Sequence, residues 1–154
     1  MPAKSIHGLE NLKALIGKEA GVSDWCEIAQ DRINRFADAT EDHQWIHIDA
    51  ARAARESPYR STIAHGFLTL SLLPMMLQQA IELTGFGMKI NYGLNKLRFP
   101  APVPVGSRVR ARFTITAVSE FEGGVQIAWR VMVEADGQAK PCLAADWLTR
   151  AYCI

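Results

Sequence analysis

A chain of 154 residues has the length of one domain, and a domain of that size buries roughly 70% of the surface its unfolded form exposes. Its 49% hydrophobic and 21% charged composition and formal net charge of +1 give no general attraction for nucleic acid or an anionic membrane. Three scattered cysteines, no apolar run near the roughly 20 residues of a membrane span and no signal-peptide pattern at the N-terminus set the expectation of a cytoplasmic protein.

Leu9, Leu12, Leu15 and Ile16 fall at helical spacing and predict a short N-terminal helix. "WCEIAQ" then reads as extended. Residues 31–40, "DRINRFADAT", put Ile33, Phe36 and Ala37 on one face behind Asp31 as a candidate cap. The polar stretch "TEDHQWIHID" (40–49) therefore begins at a helix end. "DAARAARESP" predicts a further helix capped by Asp49 and stopped by Pro58, and the loop "YRSTIAHG" follows.

Residues 66–83, "GFLTLSLLPMMLQQAIEL", are apolar around nearly the whole helical circumference. That pattern predicts a helix enclosed by other structure. Pro74 removes the bond to the Leu70 carbonyl and predicts a kink, and Gly85 and Gly87 are placed to end the helix.

The second half reads as strands. Val109, Ala111, Phe113, Ile115 and Ala117 alternate with arginines and threonines, and Val125, Ile127, Trp129, Val131 and Val133 alternate with mostly polar partners. "EGG" at 122–124 and "ADGQ" at 135–138 are hairpin turns, and "KINYGLNKLRF" and "KPCLAADWLTRAY" add two more strands. The predicted class is α+β: a buried helix with an antiparallel sheet curling around it. Its exposed edge strands need covering, so a homodimer is expected. The arginine stripe 108, 110, 112 reads as a solvated face, with phosphate or subunit contact as the functional alternative. Trp45, Trp129 and Trp147 read as core or interface residues.

The opening of chemistry is in "TEDHQWIHID". Asp42 and His47 stand five apart at a helix-to-loop junction. A carboxyl and an imidazole sharing one water can move one proton out and another in, as addition of water across a double bond requires. The structural alternative is that Asp42 caps a turn and His47 is a satisfied histidine. His43 and His47 have the i, i+4 spacing of zinc hydrolases, with His65 or Asp49 as the third ligand, but Gln44 stands where those enzymes carry a glutamate base. No metal is therefore expected. No nucleophile elbow, activated cysteine, phosphate loop or dinucleotide fingerprint is present. Gly66 opens the central helix, where unpaired N–H groups suit an oxyanion, or it merely relieves crowding.

"DHQWIHID" resembles the D-x-N-P-x-H-x-D signature of the MaoC-like hydratase family, and "TIAHGFLTLSLLP" resembles the start of the central helix of the hot-dog fold. With "INYGLNKLRFPAPVPVGSRVR" the similarity covers about residues 10–152 of a single domain spanning 1–154, on the nodulation-protein-N-like branch. The resemblance implies Asp42 and His47 as the catalytic pair and the Gly66 N–H as donor to a thioester carbonyl. It implies a hot-dog fold, a dimer, and reversible hydration of trans-2-enoyl-CoA to (R)-3-hydroxyacyl-CoA. CoA enters only as part of the substrate, with no other cofactor. Gln44 and Trp45 replace the signature's Asn-Pro and, with His65 and Phe67, are the further candidate substrate contacts. Thioester hydrolysis, dehydration on an acyl carrier protein and non-catalytic acyl-thioester binding are the alternatives.

Overall fold

In the computed structural model, which describes residues 2–153, the chain opens with Lys4–His7 (β1), a strand that no alternation in the sequence marks. Gly8–Ala14 (α1) is the predicted N-terminal helix, anchored by the fully buried Leu12. Glu19–Val22 (β2) and Cys26–Glu27 (β3) lead to Gln30–Thr40 (α2), which buries Ile33 and Ala37 as predicted. Its cap differs from expectation. Ala29 occupies the N-cap without a side-chain bond, and Asp31 lies in the first turn, where it pairs with Arg35 at 3.1 Å. An acid in the first turn still favours the helix through its dipole.

The single turn Trp45–Ile48 (α3) is followed by Ala50–Glu56 (α4), whose first turn is capped by Asp49 accepting from the Arg52 N–H at 3.0 Å. The predicted central helix is two: Gly66–Ser71 (α5) and Leu73–Ala80 (α6), joined at Leu72. Pro74 accounts for the break, because it cannot donate to the Leu70 carbonyl and sits instead in the first turn of a new helix, where no donor is needed. The helix also ends earlier than residue 83. Ile81–Thr84 (β4) is a strand pairing in parallel with β1, so Gly85, at φ 92, turns the chain out of a strand rather than a helix.

Met88–Arg98 (β5), Arg108–Phe121 (β6), Gly124–Ala135 (β7) and Leu143–Tyr152 (β8) are the four predicted long strands. They form an antiparallel sheet in the order β2-β6-β7-β8-β5, with β3 also on β6. Val109, Ala111, Phe113 and Ile115 point inward with Ile127, Trp129, Val131 and Val133, all at most 1% exposed. A bulge between Ile115 and Ala117 then shifts the register, so Ala117 is exposed and Val118 packs on the core. One extra residue reverses every later facing. The buried Trp129 indole N–H donates to Thr149 Oγ1 at 2.9 Å, and Trp147 is buried beside it.

The arginine stripe is a ladder of ion pairs: Arg108 with Asp136, Arg110 with Glu134, and Arg112 with Glu134 and Glu19. These charges are answered within the chain. Leu68, Leu73, Met76 and Ala80 seat the broken helix on the sheet, and burial of a large apolar side chain contributes about 1.5–3 kcal/mol. The enclosure is incomplete, however: Phe67, Ser71 and Gln78 are exposed, and Ser71 and Gln78 border open grooves beside β5.

Candidate active site

The polar stretch is shaped by its two ends. Glu41 ends α2 in the left-handed region at φ 62, which turns the chain sharply before Asp42. Asp42 Oδ1 accepts from the Gln44 N–H at 3.4 Å, and the His47 N–H donates to the Gln44 carbonyl at 3.0 Å. The Gln30 amide at the start of α2 donates to the His47 carbonyl at 2.7 Å and accepts from the Thr62 hydroxyl. These bonds stitch α3 to α2 and to the 59–65 loop. That loop is itself held by Ile63 N–H to the Ile46 carbonyl (3.0 Å) and Ala64 N–H to the Val103 carbonyl (2.8 Å).

His47 is buried, and its Nδ1–H donates to the Ile63 carbonyl at 2.7 Å. A carbonyl only accepts, so the proton is on Nδ1 and Nε2 keeps its lone pair. His47 is thereby held in the tautomer that leaves Nε2 free to accept a proton. His65, 3% exposed, lies against it with ring centroids 3.8 Å apart and planes 22° from parallel. The ligand atoms of Asp42, His47 and His65 all lie within 4.8 Å of one another. Asp42 is exposed at this edge.

The metal set suggested by spacing is not assembled. His43 lies before α3 rather than on one helical face with His47, and it is exposed and paired with Asp38 at 2.9 Å. The group that does assemble is Asp42, His47 and His65, two stacked rings and one exposed carboxylate.

His47 and Gly66 line one cavity of about 300 Å³ together with Tyr59, Thr69, Phe99 and Cys142. Leu68 and Thr69 N–H groups both turn back to the His65 carbonyl. The N–H groups of Gly66 and Phe67 thus have no backbone acceptor among the described residues. A Cβ at Gly66 would stand 3.0 Å from the Phe99 ring, so glycine here permits a close approach. The six-residue α5 is shorter than the helix expected from the sequence, which leaves the free N–H groups, more than a long helix dipole, to favour negative charge.

The other candidate contacts lie apart. Trp45 is half-buried beneath the Arg52 guanidinium, 4.3 Å from its ring centroid, and is not in the cavity wall. Gln44 contributes backbone bonds, not side-chain ones, among the described residues. Phe67 is 64% exposed and meets Phe99 edge-on at 6.2 Å, outside the cavity wall.

A MaoC like domain pattern matches residues 11–136. The chain belongs to the MaoC-like domain family. It is 49% identical over 148 residues to the 3-hydroxyacyl-thioester dehydratase Z of Mycobacterium tuberculosis (strain ATCC 25618 / H37Rv), covering 96% of this chain and 97% of that one. It is 44% identical over 144 residues to nodulation protein N of Rhizobium leguminosarum bv. viciae, covering 92% and 89%. Among solved structures, the unliganded R-hydratase PhaJ1 from Pseudomonas aeruginosa superposes with a TM-score of 0.70 at 25% identity, covering 89% of this chain and 81% of that one. The fold is the hot-dog fold of these MaoC-like proteins, and the chain is a MaoC-like dehydratase, of the hydro-lyase class.

Within this MaoC-like site, burial lowers the pKa of His47 below the ordinary 6.5; the Ile63 carbonyl raises it, His65 lowers it and Asp42 raises it. Below pH 6.5 the unfolded chain takes up a proton that the folded chain refuses until its own lower value is reached. Stability therefore falls as pH drops through that window and is level on either side. Urea midpoints between pH 7.5 and 5 should show this slope in wild type and a smaller one in His47→Gln. Cys142 behaves differently: burial pushes its thiol up to about 11, so it lines the cavity as a small apolar residue. Gln30, Thr69, Phe99 and Cys142 carry no motif in the sequence, and only the fold brings them to the site.

Proposed function

We propose that this protein catalyses the reversible syn hydration of trans-2-enoyl-CoA to (R)-3-hydroxyacyl-CoA in fatty-acid metabolism. The observations that carry this reading are the bare Nε2 of His47, left by Nδ1–H donation to the Ile63 carbonyl, the approach of a His47 ring nitrogen to within 4.8 Å of an Asp42 carboxylate oxygen, and the cavity that His47 shares with Gly66. His47 Nε2 takes a proton from a water that Asp42 also holds. The hydroxide adds to the β-carbon, and the displaced electron pair moves to the thioester oxygen, which accepts from the Gly66 N–H. The His47 imidazolium passes its proton to the Asp42 carboxylate, and the Asp42 carboxyl so formed delivers it to the α-carbon on the same face, which returns both groups to their starting states. Each step runs backward for dehydration.

The names of relatives fit the reading: a 3-hydroxyacyl-thioester dehydratase at 49% identity and an R-hydratase at 25%. The test is hydration of enoyl-CoA substrates from short to long chain, coupled to a stereospecific 3-hydroxyacyl-CoA dehydrogenase. Loss of the enoyl chromophore with (R) product is expected. Release of free CoA with the chromophore intact would make the enzyme a thioesterase, and tight binding without turnover would make it a binding module. Turnover only on acyl-carrier-protein substrates would reassign the handle. No metal takes part in the proposed steps, so EDTA dialysis should leave turnover unchanged.

A homodimer in the cytoplasm completes the proposal. Among the described residues β5 pairs only with β8, and it is exposed along most of its length, with Met88, Ile90, Tyr92 and Leu94 each between 38% and 52% exposed. A long apolar edge invites strand pairing unless it is covered. Sedimentation equilibrium should give twice the chain mass. The three cysteines are free thiols, as a reducing compartment permits.

A further inference from the structure

His65 stands within the site, yet the proposed hydration gives it no proton to move. Its Nε2–H donates to the main-chain carbonyl of Asp42 at 3.0 Å, across 23 residues of sequence. Its ring lies flat on His47 on one side and 4.9 Å from Phe36 on the other. At 3% exposure the ring has little room to swing, and its Nδ1 is buried without a partner. That bare nitrogen is what remains once Nε2 carries the proton.

We propose that His65 is a positioning residue for the acid-base pair: its Nε2–H fixes the main chain at Asp42, and its ring holds the His47 imidazole by stacking. Among the described residues no other side chain bonds the Asp42 main chain while packing on the His47 ring. The exposed Asp42 carboxylate gains from this, because its own side-chain bond is the long 3.4 Å contact to the Gln44 N–H. A buried polar atom left unpaired, as Nδ1 is, costs stability. The fold tolerates that cost where a phenylalanine would fill the same space, which points to the donor bond as the reason for a histidine.

The inference rests on the proposed hydration, and its test separates the two. Long-range ¹H–¹⁵N correlation spectra of the wild-type protein read the tautomers without any assay: His65 is expected as Nε2–H and His47 as Nδ1–H. Displacement of a reacting group by about 1 Å costs on the order of 10²-fold in rate, so His65→Phe, which keeps the stack and loses the donor, should lower kcat by about 10- to 100-fold with KM within about twofold. His65→Gln can place an amide N–H at the same reach and should recover most of kcat. Wild-type turnover in His65→Phe, no recovery in His65→Gln, or an Nδ1–H tautomer of His65 overturns the inference. Wild type that fails to hydrate any enoyl thioester overturns the functional reading instead. Should His65→Phe not fold, the tautomers and the kcat of the glutamine variant decide.

Discussion

Asp42→Asn should lower kcat for enoyl-CoA hydration by about 10²- to 10⁴-fold, the range for a general acid-base partner, with the melting temperature close to that of wild type. The side chain is exposed, and asparagine's Oδ1 can still accept from the Gln44 N–H. What it loses is the capacity to give and take a proton. His47→Gln should lower kcat over the same range, because an amide cannot take a proton from water near neutral pH. Its stability readout differs: the Ile63 carbonyl loses its donor, a change of about 1 kcal/mol. Because both groups act on one water, the double variant should be little worse than either single one. Losses that multiply would mean independent roles, and turnover of crotonyl-CoA at the wild-type rate by either variant would remove the pair from the mechanism.

Much of the architecture is legible before any coordinates. Alternation over 108–116 and 125–133 gives two strands with the right faces, and the glycine at φ 94 in the 122–124 turn gives their hairpin. The failures share a cause: they sit where a non-local contact overrides a local pattern. "IELT" continues the helical period of 66–80 equally well, but the N-terminal strand is available to pair with it, and a short apolar run cannot be assigned by period alone. The bulge at Ile115/Ala117 leaves no sequence mark either. In the candidate site, the choice of Asp42, His47 and Gly66 is readable from spacing and family resemblance, and the fold brings His47 to Asp42 and into one cavity with Gly66. The stacking of His65 on His47 is not readable in this way, since it depends on the 59–65 loop bonding to α3 on one side and to residues 103–105 on the other. Phe67 illustrates the converse: next to Gly66 in sequence, it points to the exposed side of its helix.

Gly66→Pro should lower kcat by about 10²- to 10³-fold, the range for removing one donor from an oxyanion site, while leaving the fold intact. The backbone is ready for the substitution. His65 already has φ −60 and ψ 137, the region that a residue before proline prefers. Gly66 is the first residue of α5, where proline is tolerated because no intrahelical acceptor waits for its N–H. The added ring meets Phe99, which is 41% exposed and has room to move. Gly66→Ala is the control, since it adds a Cβ 3.0 Å from the same ring but keeps the N–H. Its effect should fall mainly on KM. If alanine and proline are equally damaging, crowding by Phe99 rather than the lost donor explains both. If proline turns over within threefold of wild type, the Gly66 N–H does not face the developing charge. The Phe67 N–H, also without a backbone acceptor among the described residues, remains in either variant, and its presence is why the expected loss stops short of abolishing turnover.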